Sequence, residues 1–364
     1  MTRQKISELN IIPMSKIDIK EYGFATNVLR NIKFRDLPDL RVCDMRVEIF
    51  WELSFHFKQT VPGWQGMMHI LHRGQTHPGA SSILYLPMID MYPGDKACIL
   101  STLNFLSNMA IRHHVPPVIT FDQPLYWKAA EIISAAPENS HLKGIVLRLG
   151  TFHTFMNLLG AIGTLMAGTG LKNILELVYG ENAVVHMMSG KSVQRAFRGH
   201  LLVSKCLHRI IVASVVEENP EFMLQVEEIE KMYSSLLTGD ISLESLEESA
   251  AIVKITDELE KKKSELAAQS KTSKLWLGYQ KMLHTARAMI KADRTGSWKD
   301  HLQAVADALP IFAAAGHYNY QKSAYLYVQE MSELESKHPD VYEKFQNGFH
   351  VIRRTNQFFG RPQL

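Results

Sequence analysis

The chain has 364 residues, of which 46% are hydrophobic and 21% charged. That composition excludes an intrinsically disordered polymer and is enough to bury a core, and the length suits two domains better than one. The net charge of +3 and pI of about 8.6 permit a nucleic-acid partner without demanding one, because a basic domain with a pI above about 9 is the stronger sign.

The three cysteines, Cys43, Cys98 and Cys206, form no CxxC pair. They exclude a disulfide framework and a zinc finger and point to a reducing compartment. The first residues, MTRQKISELN, lack the apolar stretch of a signal peptide. The expected location is therefore intracellular, nuclear or cytoplasmic, and not secreted.

Residues 43–58 (CDMRVEIFWELSFHFK) are apolar at every odd position, and the even positions are polar except Phe50. Strict alternation predicts a strand with one buried face. A loop follows from Pro62 to Ser82, marked by PGWQG and HPGASS. Three apolar runs predict further strands at 83–89, 117–121 and 144–149. The intervening segments, Lys96 to His114 and Leu125 to Ala136, have helical spacing, so strand and helix alternate as in a sheet with parallel neighbours. Phe152 to Leu171 approaches membrane-spanning length, but its His153, Asn157 and glycines read as a buried helix, and no membrane partner is expected. Beyond residue 171 every apolar pattern is helical. The fold expected is an α/β core over residues 1–170, with a mixed sheet, followed by a mostly α-helical region over 171–364.

Candidate chemistry follows from this layout. Asp122 and Asp90 each end a predicted strand, where α/β sheets place ligand-binding residues, and two such acids could hold Mg2+ for phosphoryl transfer. For Asp122 the plainer reading is the N-cap of the next helix. His153 could touch a phosphate or simply open a helix. Lys191, Arg195, Arg198, Lys205 and Arg209 share one helical face, with Val193, Phe197 and Leu201 tending to the other. That face suits DNA phosphates, or else is only solvated. Ser189–Ser192 ends like a phosphate-binding loop but lacks the earlier glycine, since position 185 is Val185. Gly160, Gly163 and Gly168 read as close-packing positions.

The segments LPMIDMYPGDKACILSTLNF, VITFDQPLYWKAAEII, GIVLRLGTFHTFMNLLGAIGTLMAGTGL, SGKSVQRAFRGHLL and GHYNYQKSAYLYVQEM resemble a family of uncharacterised proteins. That family occurs in many copies in invertebrate and fish genomes, and the resemblance covers roughly residues 60–360. The copy number implies a mobile-element origin and a transposase-like, RNase H-like core in which Asp122 is the acid after the fourth strand. The family's upstream acidic segment (DNxDHN) and downstream one (IExTxNRD) do not occur here. The resemblance therefore implies a fragment truncated at both ends that binds nucleic acid without catalysing DNA phosphoryl transfer. The alternative is a non-enzymatic interaction protein that uses acidic amphipathic helices at 221–269 as its partner surface.

Overall fold

The computed structural model describes residues 32–40, 45–73, 75, 77–86, 92–356 and 358. Among these the chain is 69% helical, with two parallel strands in one small sheet. The fold is mostly α-helical, and the expected α/β core with RNase H-like order is overturned.

The elements run in chain order as α1 (Ile49–Leu53), α2 (Trp64–Leu71), α3 (Lys96–Arg112), β1 (Val118–Phe121), α4 (Gln123–Ala135), β2 (Val146–Leu149) and α5 (Thr151–Leu165). Then come α6 (Leu171–Glu176), α7 (Glu181–Met188), α8 (Val193–Glu218), α9 (Phe222–Thr238), α10 (Leu243–Glu247) and α11 (Ala250–Gln269). The last are α12 (Lys271–Thr295), α13 (Trp298–Ala314), α14 (Tyr318–Ser332), α15 (Leu334–Lys337) and α16 (Pro339–Gln346).

The strand expected over 43–58 is instead a 3-10 turn, Arg46–Glu48, running into α1. Alternation failed as a guide because this segment is covered on more than one side. Phe50, the residue that broke the pattern, is fully buried, and so is Glu48. The strand expected at 83–89 is irregular over 83–86, where Leu84 and Tyr85 stand 83% and 80% exposed. Residues 87–89, and Asp90 with them, lie outside the described residues. The runs at 117–121 and 144–149 do form β1 and β2. They pair in parallel with Val118 opposite Val146, so the neighbour of β1 is β2 rather than the run at 83.

The chain divides into two compact units. Of the described residues the first holds 32–38, 81–86, 92–154 and 318–343. In it α3 and α4 cover the sheet around Ile99, Leu103, Ile119, Ala129, Ile132 and Ile145. α14 packs on α4 through the Tyr126–Tyr327 edge contact and a hydrogen bond from Gln123 Nε2 to Ser323 Oγ of 3.0 Å. Of the described residues the second holds 39–40, 45–73, 75, 77–80, 155–317, 344–356 and 358. Its core is built by apolar stripes at helical spacing: Ile211, Val212 and Val215 of α8, Phe222, Val226, Ile229 and Tyr233 of α9, Ile252, Ile255 and Leu259 of α11. Burial of these side chains, about 1.5–3 kcal/mol each, is what holds the helices together.

Among the described residues α8 is the one helix long and apolar enough to cross a membrane. Its apolar stripe packs into the second unit's core, which is how a central helix of a bundle passes the same test.

Gly160 and Gly163 of α5 do allow close packing, whereas Gly168 stands in open space with a positive φ and is a turn. At Gly163 a Cβ would lie 1.9 Å from the Met188 carbonyl oxygen, a backbone atom that cannot swing away. Gly163→Ala is therefore expected to destabilise by about 1–3 kcal/mol, although the same change in an exposed helix would stabilise by about 1 kcal/mol. Urea unfolding gives the sign, and a midpoint at or above that of the parent would refute the close approach.

Candidate functional site

Asp122 ends β1 and is the N-cap of α4. Its Oδ1 accepts from Leu125 N at 3.3 Å, and Pro124 sits in the first turn. Burial first, and then the Asp122 carboxylate, push the Tyr320 hydroxyl up. β1 and β2 are parallel, and each is followed by a helix. Asp122 and the exposed His153 in the first turn of α5 therefore lie at the same sheet edge. The capping bond accounts for Asp122 as it stands. Among the described residues the only group of three or more convergent metal-ligating side chains is Asp293, His301 and His350, and it does not include Asp122.

The basic run is presented by α8 and the turn before it. Lys191, Arg195, Arg198 and Arg209 are exposed, and Lys205 is half-buried. None of the five is in an ion pair with a carboxylate among the described residues. The helix forms here because Ala196, His200, Val203, Ile211 and Val215 recur on its inner side and are buried. The outer side is what remains, and it also carries Leu202 and Ile210, 45% and 65% exposed. One aromatic ring joins it. Phe55, just past α1 and 46% exposed, has Lys205 Nζ 4.8 Å and the Arg209 guanidinium 5.6 Å from its centroid. Lys205 Nζ also lies 5.2 Å from the Trp51 ring. Burial draws the Lys205 ammonium below the ordinary lysine range.

A buried ion network beneath this face fixes α1 against α8 and α12. Arg287 of α12 places Nε 2.8 Å from Glu48 Oε2 and donates from Nη2 to Glu52 Oε1 at 2.9 Å. His208 of α8 places Nε2 2.6 Å from the other Glu52 oxygen. Burial pushes the Glu48 carboxyl up, and the charges of Arg287 and Lys291 offset this only in part. Burial pushes Glu52 the same way, but His208 and Arg287 overcome it and hold that carboxyl well below its usual range. Burial pulls the Arg287 guanidinium down, yet the two carboxylates raise it further and keep it charged. The Arg287 guanidinium also lies 5.6 Å from the centroid of the Trp51 ring.

Sequence reading located the basic face and missed both the network and the aromatic that joins the face. Glu48 and Glu52 are four residues apart, a helical spacing, but they also fell on the polar positions of the alternating pattern. His200 and His208 serve the core rather than a metal: His200 Nδ1 lies 2.8 Å from the Tyr279 hydroxyl, and His208 pairs with Glu52. The apolar faces of the acidic helices at 221–269 are taken up in the second unit's own core. The run Ser189–Ser192 is the turn between α7 and α8.

A family described as a domain of unknown function (DUF8702) matches residues 63–362. No curated protein and no solved structure matches the chain.

Proposed function

The chain belongs to the DUF8702 family of domains of unknown function, and from that premise we propose that it binds nucleic acid through the exposed face of α8. The observation that carries this reading is the run of Lys191, Arg195, Arg198 and Arg209, exposed and unneutralised by any carboxylate among the described residues. A row of free cations recovers counterion-release free energy on a phosphate backbone, and this term is independent of base sequence. Phe55 adds a ring on which an unstacked base can lie, worth about 1–3 kcal/mol per base in single-strand binding. DNA is accordingly the partner tested first. This reading keeps the nucleic-acid half of the mobile-element expectation and drops the RNase H-like core. It is favoured over protein docking at 221–269 because the apolar faces of those helices already pack internally.

Four phosphate contacts should give a log–log salt slope of about −3.6 on duplex DNA and about −2.8 on single strands. The variant Arg195→Glu/Arg198→Glu/Arg209→Glu should abolish measurable binding in fluorescence anisotropy while leaving the melting temperature close to the parent's. Parent-like affinity and salt slope in that variant would mean that this face is merely solvated.

A further inference from the structure

The second unit contains another group of chemistry-bearing residues, distant in sequence and outside the α8 face. Asp293 lies in the last turn of α12, His301 in the second turn of α13, and His350 in the segment after α16. One ligand atom from each lies within 4.8 Å of the other two. We propose that Asp293, His301 and His350 form a binding site for a divalent transition metal of the Zn2+ or Fe2+ class.

The donor set selects the metal. Two imidazoles and one carboxylate, with no thiolate, suit zinc, iron(II), cobalt(II) or nickel(II), whereas magnesium and calcium prefer an all-oxygen shell. The distances fit. With bonds of about 2.05 Å, two ligands of a tetrahedral zinc stand about 3.3 Å apart. Asp293 Oδ1 and His301 Nδ1 are already 3.0 Å apart. The two pairs that involve His350 lie within 4.8 Å and close to that spacing by side-chain adjustment. Three protein ligands leave one coordination position for water or another small donor.

The surroundings hold these ligands in place. A short αL turn at Gly296, with Ser297 capping α13, folds α13 back on α12 and brings His301 to Asp293. Trp298 lies nearly parallel to the His301 ring, 16° and 5.4 Å away, and edge-on to His350 at 5.1 Å. His350 Nδ1 lies 3.3 Å from the Phe345 carbonyl, the kind of outer contact that orients a ligating imidazole. Arg353 donates to the carbonyls of Gly348, at 2.7 Å, and Thr295, at 3.1 Å, and so ties the His350 segment to the end of α12. Both imidazoles are buried, and the Asp293 side chain, 26% exposed, marks the side from which an ion enters.

The test uses the full chain stripped with EDTA. Titration with Co2+ should produce a saturable visible absorption band at one equivalent. Added Zn2+ should raise the melting temperature, reversibly on chelation. Asp293→Asn and His350→Gln should each weaken binding about tenfold or more, with their helical signal in EDTA matching the parent. Should His350→Gln fold poorly, Asp293→Asn at the more exposed position carries the comparison. Absence of saturable binding at one equivalent in the parent, or a loss below about tenfold in the folded variants, would overturn the proposal.

Discussion

Arg287→Met is expected to cost about 3–5 kcal/mol of folding stability at neutral pH. The guanidinium is 4% exposed and is shared by two carboxylates from the same short helical segment, one of which, Glu48, is 1% exposed. Removing it leaves those charges in a low-dielectric site with the desolvation penalty uncompensated. The size of the loss should depend on pH in a particular direction. Burial already raises the Glu48 carboxyl, so a proton can neutralise it at moderately acid pH, and the variant's deficit should shrink from pH 7 toward pH 5. Glu52 retains His208 at 2.6 Å and contributes less to the deficit. The combined variant Glu48→Gln/Arg287→Met should recover much of the loss, since the uncompensated charge is then gone. Denaturant unfolding at two pH values measures all of this. A cost under about 1 kcal/mol for the single variant at pH 7 would show that the network is not closed to water as described.

The second large effect is acid destabilisation above the carboxylate range. His72, His200 and His284 all have imidazoles lowered by burial from about 6.5 to about 4. At His72 the Met68 carbonyl opposes the shift and Lys291 adds to it; at His284 Arg287 adds to it. Because the folded values lie below the unfolded ones, the unfolded chain binds the extra protons between about pH 6.5 and 4. Stability is therefore full above about pH 6.5 and is lost as pH falls through that window. A fall from about 6.5 to about 4 corresponds to about 3 kcal/mol per histidine, so the three together set an upper bound near 10 kcal/mol. Glu48 acts in the opposite sense, because its raised carboxyl takes up a proton in the folded state first, and it offsets part of the loss. His200→Phe forfeits the 2.8 Å contact with the Tyr279 hydroxyl at every pH but removes one titrating group. Its stability should fall less steeply than the parent's between pH 6.5 and 5. Equal slopes for parent and variant, or a parent stability flat across that range, would contradict the buried neutral state of these rings.

Periodicity made the helices of the second half legible in the sequence, α7 and α16 excepted. Phe222, Val226, Ile229, Tyr233 and Leu236 recur at 3.6-residue spacing whatever packs against them, and α9 follows. The same holds for the two strands, which are short apolar runs bounded by Pro117 and Gly150, and for the N-cap of α4 at Asp122. The exposed cations of α8 were also legible, because a charged stripe opposite an apolar one needs no tertiary information.

Contacts between remote segments were needed wherever a local pattern suited two geometries. Residues 46–53 alternate as a strand should, yet they are helical, and Arg287, more than two hundred residues away, pairs with both Glu48 and Glu52 there. An apolar run alone does not make a strand either: Ile83–Leu86 has no partner strand among the described residues and is irregular and exposed there. The meeting of Asp293, His301 and His350 was equally hidden. Its first two members are joined by a helical turn-back and the third arrives through the Arg353 clasp, so their proximity is a property of chain reversal and of hydrogen bonds between remote segments, which spacing along one sequence does not encode.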